Sequence, residues 1–243
     1  MKRIHEIIRD LRYRYPRDDF FSSFEESCRI SPEKRYYYCL YNKALMELDD
    51  DSWEILKDKA LRHYLDHRKG QKKQGFFNQL NEAFAYRYLV RSGFDDVRLI
   101  KEEGRTSPDI RFAVHKTQNY CEVKTLGMSD DEINRRSSHN VIDGEVYVAL
   151  SDGFLNKFSD AVATARKQIQ AWGPNGLVYV IVLFDDIALD YYQTYRRQLI
   201  KFAQNRGFEN LFIKMGLRGN RSIFHNPLFP RIADKSGLSR RIP

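Results

Sequence analysis

Two carboxylates and a lysine stand close together in the middle of this 243-residue chain. Asp109 sits in the dipeptide Pro108-Asp109, and Glu122-Val123-Lys124 begins thirteen residues later. Each lies in a short apolar run that reads as a strand, Pro108 to Val114 and Tyr120 to Thr125. The stretch between them, His115-Lys116-Thr117-Gln118-Asn119, is polar and of hairpin length. Side chains alternate across a strand, so Glu122 and Lys124 leave one face while Val123 points to the other. Antiparallel pairing would bring Asp109 beside them. Two carboxylates at that spacing can hold a hard divalent cation, Mg²⁺ or Mn²⁺, with the backbone carbonyl of Val123 as a third oxygen. Such a cation acidifies a bound water and offsets charge on a phosphate, and Lys124 could orient that water. The chemistry would be hydrolysis of a phosphodiester. The plainer alternative is a surface hairpin carrying an ordinary salt bridge.

The elements that must position these groups surround them in order. Upstream, Phe76 to Arg91 reads as an amphipathic helix with Phe77, Leu80, Phe84, Tyr88 and Leu89 at helical spacing, and Gly93 follows as a C-cap. Glu82 lies mid-helix. Periodicity leaves its face open between a solvated glutamate and a carboxylate turned toward the hairpin, touching a second ion or the water network. Val97 to Glu102 reads as a strand. Downstream, Met128 to Gly144 reads as a polar loop and Glu145 to Leu150 as an extra strand. Asn156 to Trp172 is a helix with Phe158, Val162, Ala165, Ile169 and Trp172 on one stripe. Leu177 to Phe184 is apolar almost throughout, as a strand buried on both faces would be. A helix from Leu189 to Asn205 and a strand from Asn210 to Met215 complete an α/β domain.

This order, a helix with Glu82, then three strands carrying Pro108-Asp109 and Glu122-Val123-Lys124, resembles the PD-(D/E)xK nuclease superfamily. That superfamily includes many restriction endonucleases, Holliday-junction resolvases, and repair and transposition nucleases. The resemblance covers roughly residues 75 to 185. It implies an α-β-β-β-α-β core within a mixed central sheet flanked by helices. It further implies Asp109 and Glu122 as metal ligands, Lys124 as the catalytic lysine and Glu82 as the helix carboxylate. Gln168-x-x-x-Trp172 resembles the Gln-x-x-x-Tyr motif of some members, with Trp in place of Tyr. Gln168 and Lys157 are therefore secondary candidates, set against the simpler reading of a polar helix face.

Charge agrees with a nucleic-acid partner. The chain carries 41 Lys+Arg against 33 Asp+Glu, a net +8. Up to Gly70 the balance is 15 basic to 14 acidic, and the excess falls in the remainder. Basic segments neutralise phosphates and release counterions. The expected contacts are Lys72 and Lys73 in the link Arg68 to Gly75, Arg135 and Arg136 in the polar loop, and Arg240 and Arg241 in the tail. That tail, 216 to 243, is rich in Gly and Pro and reads as extended or weakly ordered.

Residues 1 to 70 read as a helical region, with helices at Ile4 to Tyr13 and Ser52 to His67, the latter capped by Asp51-Ser52. The aromatic run Tyr36 to Tyr41 fits core packing better than base stacking. The division expected is thus 1–70 helical, 71–215 nuclease-like and 216–243 tail. Three cysteines without Cys-x-x-Cys spacing argue against a zinc or disulfide framework. No apolar stretch suits a membrane span, the N-terminus lacks a signal core, and a cytoplasmic location is expected. The sequence has no phosphate-binding Gly-rich loop for an ATP-driven motor.

The function expected is divalent-metal-dependent cleavage of nucleic acid, DNA before RNA, by an endonuclease of restriction, repair or mobile-element type. A two-fold homodimer is the usual solution for cutting both strands. Two alternatives stand beside it: an RNA-cleaving or toxin nuclease, and a catalytically silent nucleic-acid-binding or assembly module on the same fold.

Overall fold

The computed structural model describes residues 1–67, 72–102, 106–127, 148–183, 191–217 and 221–223. It divides into two compact units, Met1–Lys101 and Glu102–Pro243. The helix bearing Glu82 therefore belongs to the first unit, whereas sequence reasoning placed the division at residue 70.

Unit 1 comprises helices α1 (Lys2–Arg14), α2 (Phe24–Ile30), α3 (Pro32–Leu45), α4 (Asp50–Arg62) and α5 (Gln74–Arg91), followed by strand β1 (Asp95–Leu99). Its core is aromatic. Phe21, Phe24, Tyr64 and Phe76 meet edge-to-face or stacked, and Tyr41 tilts against Phe77 and Phe84. These contacts explain why α5 stays with the N-terminal helices: Phe76, Leu80 and Phe84 are buried against them. From the aromatic run, Tyr38 packs on Phe21 and Phe24, and Tyr36 is more exposed. Helix α4 begins two residues earlier than expected. Asp49, not Asp51, caps it, accepting hydrogen bonds from the Ser52 N–H (2.9 Å) and Oγ (3.0 Å). The same carboxylate accepts from Tyr86 Oη (2.6 Å) and Arg98 (2.8 Å), tying α4 to α5 and β1. Gly93, past the end of α5, has φ 80°, the left-handed conformation that a helix C-terminus favours.

Unit 2 is α/β with a mixed sheet. Its strands are β2 (Ile110–Val114), β3 (Thr117–Leu126), β4 (Gly176–Val182), β5 (Leu211–Met215) and β6 (Arg221–Ile223), adjacent in that order. β2 and β3 form an antiparallel hairpin, β3–β4 and β4–β5 run parallel, and β6 returns antiparallel to β5. The hairpin turn is tighter than expected. His115 and Lys116 alone make it, both at positive φ (48° and 67°), as a two-residue turn demands. Helix α6 (Asp152–Gln170) is the crossover between β3 and β4 and packs on both, and α7 (Tyr192–Asn205) links β4 to β5. Phe158, Val162, Ala165 and Ile169 bury the stripe of α6, while every residue of β4 after Gly176 is buried. Of the strand expected at Glu145 to Leu150, only Val148–Leu150 are described, and these are not a strand; the Met128 to Gly144 loop lies outside the described residues.

Candidate active site

The β2–β3 register decides which side chains meet. Ile110 pairs with Cys121, and the Asp109 N–H donates to the Cys121 carbonyl (3.1 Å), so Asp109 lies opposite Glu122. Asp109 sits just before the strand. Its Oδ2 accepts a hydrogen bond from the Val123 N–H (2.8 Å), which fixes the carboxylate against the β3 backbone. Alternation sends Glu122 and Lys124 to the face covered by α6. There Lys124 Nζ donates both to Glu122 Oε1 (2.6 Å) and to Gln168 Oε1 (2.6 Å) on the helix.

Electrostatics sharpen the picture. The Glu122 side chain is 4% exposed and that of Lys124 25%. Burial raises the Glu122 carboxyl pKa, the Asp109 charge raises it further, and Lys124 opposes both; the result is about 8. The second oxygen, Oε2, is buried without a hydrogen-bond partner. A buried, unsatisfied carboxylate oxygen beside a second carboxylate is costly unless a donor or a cation meets it. The donor set suits Mg²⁺ or Mn²⁺: two carboxylates, with the remaining positions left to water and substrate phosphate. Among the described residues, no three His, Cys, Asp or Glu side chains cluster as an all-protein cage.

The remaining sequence candidates fall in different places. Glu82 is neither a solvated helix residue nor an open carboxylate. It is 4% exposed in unit 1, and Lys59 Nζ donates to both of its oxygens (2.7 and 2.9 Å). Sequence reasoning missed Lys59, although a signal existed: it stands in α4 next to the apolar positions Leu56 and Ala60, and a lysine there is buried only with a partner. Lys157 lies on α6 eleven residues before Gln168, three turns and about 16 Å along the same face. Lys73, expected at nucleic acid, is 6% exposed; it pairs with Asp18 and its ammonium lies 3.8 Å over the Tyr64 ring. Its charge is used within the fold. Lys72 is exposed in the turn before α5. Arg135, Arg136, Arg240 and Arg241 lie outside the described residues.

No helix among the described residues is long and apolar enough to cross a membrane. Comparison of the chain with protein-family models, with curated proteins and with solved structures returns no match in any of the three.

Proposed function

We propose that unit 2 is a metal-dependent phosphodiesterase acting on nucleic acid, with DNA as the expected substrate, built on a PD-(D/E)xK-like core. The observation that carries this reading is the buried Glu122 carboxyl, with Lys124 on one oxygen and Asp109 crowded against it. The element order supports it: α5, β1, β2, β3, α6 and β4 follow the chain as α-β-β-β-α-β.

In this reading Asp109, Glu122 and the Val123 carbonyl hold Mg²⁺ or Mn²⁺. When bound, the ion would acidify a water and offset charge at the phosphate. Everything else falls to the chain's own groups. The Val123 N–H keeps Asp109 from rotating away from Glu122. Gln168 accepts one of the three Lys124 donors and Glu122 a second, which leaves a third N–H for the attacking water or a phosphate oxygen. Substrate phosphate would complete the cation's shell, and the cation's charge would offset the burial and the neighbouring Asp109 charge that together hold Glu122 protonated in its absence.

The test is a cleavage panel of supercoiled plasmid, linear duplex, single-stranded DNA, a branched junction and structured RNA, each with Mg²⁺, Mn²⁺ or EDTA. Metal-dependent cutting, abolished by EDTA, is expected, and the preferred member names the substrate. Salt-sensitive binding with no cutting in any metal would replace this reading with the binding module.

A further inference from the structure

One aromatic residue beside this site is held rigidly yet left open. Trp172 follows α6 one turn after Gln168, and the residue is 40% exposed. Its indole N–H donates to the Thr106 carbonyl (3.1 Å), and its ring meets Tyr120 edge-on with centroids 6.0 Å apart. Tyr120 is itself fixed: its hydroxyl accepts from Gln118 Nε2 (2.6 Å). The backbone is fitted to the pair. A Cβ on Gly173 would come within 2.9 Å of the Tyr120 ring, and one on Gly176 within 2.4 Å of the Tyr120 carbonyl oxygen.

Trp172 thus has its polar atom satisfied and its orientation set before any ligand arrives. Such pre-organisation lowers the entropy lost on binding a flat partner. Position identifies the partner. Tyr120 precedes Glu122 by two residues on the same face of β3, about 7 Å along the strand. Gln168, which holds Lys124, precedes Trp172 by one turn, about 6 Å on the helix surface. A phosphodiester at Asp109, Glu122 and Lys124 therefore has its neighbouring base within reach of the indole.

We infer that Trp172 is a stacking platform for an unpaired base next to the scissile phosphodiester, so that the substrate is single-stranded DNA or a DNA strand with a base out of its helix. This rests on the nuclease reading. A paired base has both faces covered by its neighbours, whereas every unpaired base offers a π-face to an aromatic ring.

The experiment uses the full chain in EDTA, titrated with a single-stranded DNA oligonucleotide, the matching blunt duplex and the matching RNA. The chain has two tryptophans, and Trp53 is 4% exposed, so quenching on binding reports Trp172. The single strand should quench strongly and the duplex weakly. Trp172→Phe should remove the quench while keeping affinity within about threefold, and Trp172→Ala should weaken binding roughly 5- to 100-fold. Equal weakening in Phe and Ala variants would overturn the proposal, because the indole would then act only through its bond to Thr106. Binding without a quench, or stronger quenching by the duplex or the RNA, would overturn it as well. Quenching without metal-dependent cleavage would sink the nuclease reading and leave the stacking site standing.

Discussion

Lys59 and Glu82 face one another from α4 and α5 as a buried ion pair, with side chains 2% and 5% exposed and both carboxylate oxygens within 2.9 Å of the ammonium. Removing one partner leaves a buried charge uncompensated, whereas replacing both with apolar residues removes two desolvation costs at once. Lys59→Met should destabilise the protein by about 3–5 kcal/mol, and Lys59→Met with Glu82→Leu should recover most or all of that loss. Urea denaturation followed by helical circular dichroism measures both. A double variant as unstable as the single would show that the pair contributes more than its mutual neutralisation.

Asp49 sets a second, pH-dependent term in unit 1. Burial pushes its carboxyl up, but hydrogen bonds from Tyr86 and Ser52 and the Arg98 charge outweigh burial and hold it at about 2, below its ordinary 3.8. A depressed acid stabilises the fold above its unfolded pKa and loses that contribution as pH falls through the folded one. Stability should therefore drop by about 2 kcal/mol between pH 4 and pH 2 from this group, and Asp49→Asn should flatten that segment of the profile. An unchanged slope in the variant would assign the acid sensitivity elsewhere.

Glu122 behaves in the opposite sense. Its folded pKa of about 8 lies above the ordinary 4.5, so the metal-free fold is favoured with Glu122 protonated. Its contribution is full below pH 4.5 and is lost as pH rises through about 8. Metal binding must displace that proton, so Mn²⁺ affinity should rise by nearly tenfold per pH unit between 6 and 8 and level off above. Calorimetric titration at several pH values reads this directly, together with the proton released. Glu122→Gln should weaken binding and abolish the pH dependence; a variant that keeps it would move the titrating group elsewhere.

Two glycines in unit 2 should respond oppositely to alanine. Gly176 pairs with Tyr120 in the β3–β4 ladder, and a Cβ there would meet the Tyr120 carbonyl oxygen at 2.4 Å and the Ile169 side chain at 2.6 Å. Gly176→Ala should cost roughly 1–3 kcal/mol through forced displacement of the strand that carries Glu122. Gly153, in the first turn of α6, has only Ser151 Oγ within reach, at 3.8 Å. Gly153→Ala should be neutral or gain about 0.5 kcal/mol by lowering the entropy of the unfolded chain. Thermal unfolding of the pair checks both signs.

The shared face of Glu122 and Lys124 was legible because strand alternation is strict: once the two are two residues apart in a strand, they share a side. The hairpin turn was harder to read, because His115 and Lys116 adopt the positive φ that Gly or Asn usually signals. The α4 boundary was misplaced within the Asp49-Asp50-Asp51 run, where composition offers three equivalent caps and only the partners Tyr86 and Arg98 choose Asp49. Glu82 escaped a clear reading for a related reason. The α5 segment from Leu80 to Tyr86 is buried throughout, so periodicity defines no polar face, and its partner Lys59 is 23 residues away in sequence. Long-range pairing of charges is set by how helices pack, and a single sequence does not carry that directly.

The most direct measurement is single-turnover cleavage of the preferred panel substrate in Mg²⁺ by wild type, Lys124→Ala and Asp109→Ala, each shown to fold by circular dichroism. Loss of a positioned donor or of a metal ligand should lower the rate by about 10²-fold or more, with EDTA abolishing the wild-type activity. Equal cutting by all three proteins would contradict the assignment of Asp109, Glu122 and Lys124 as the reacting centre.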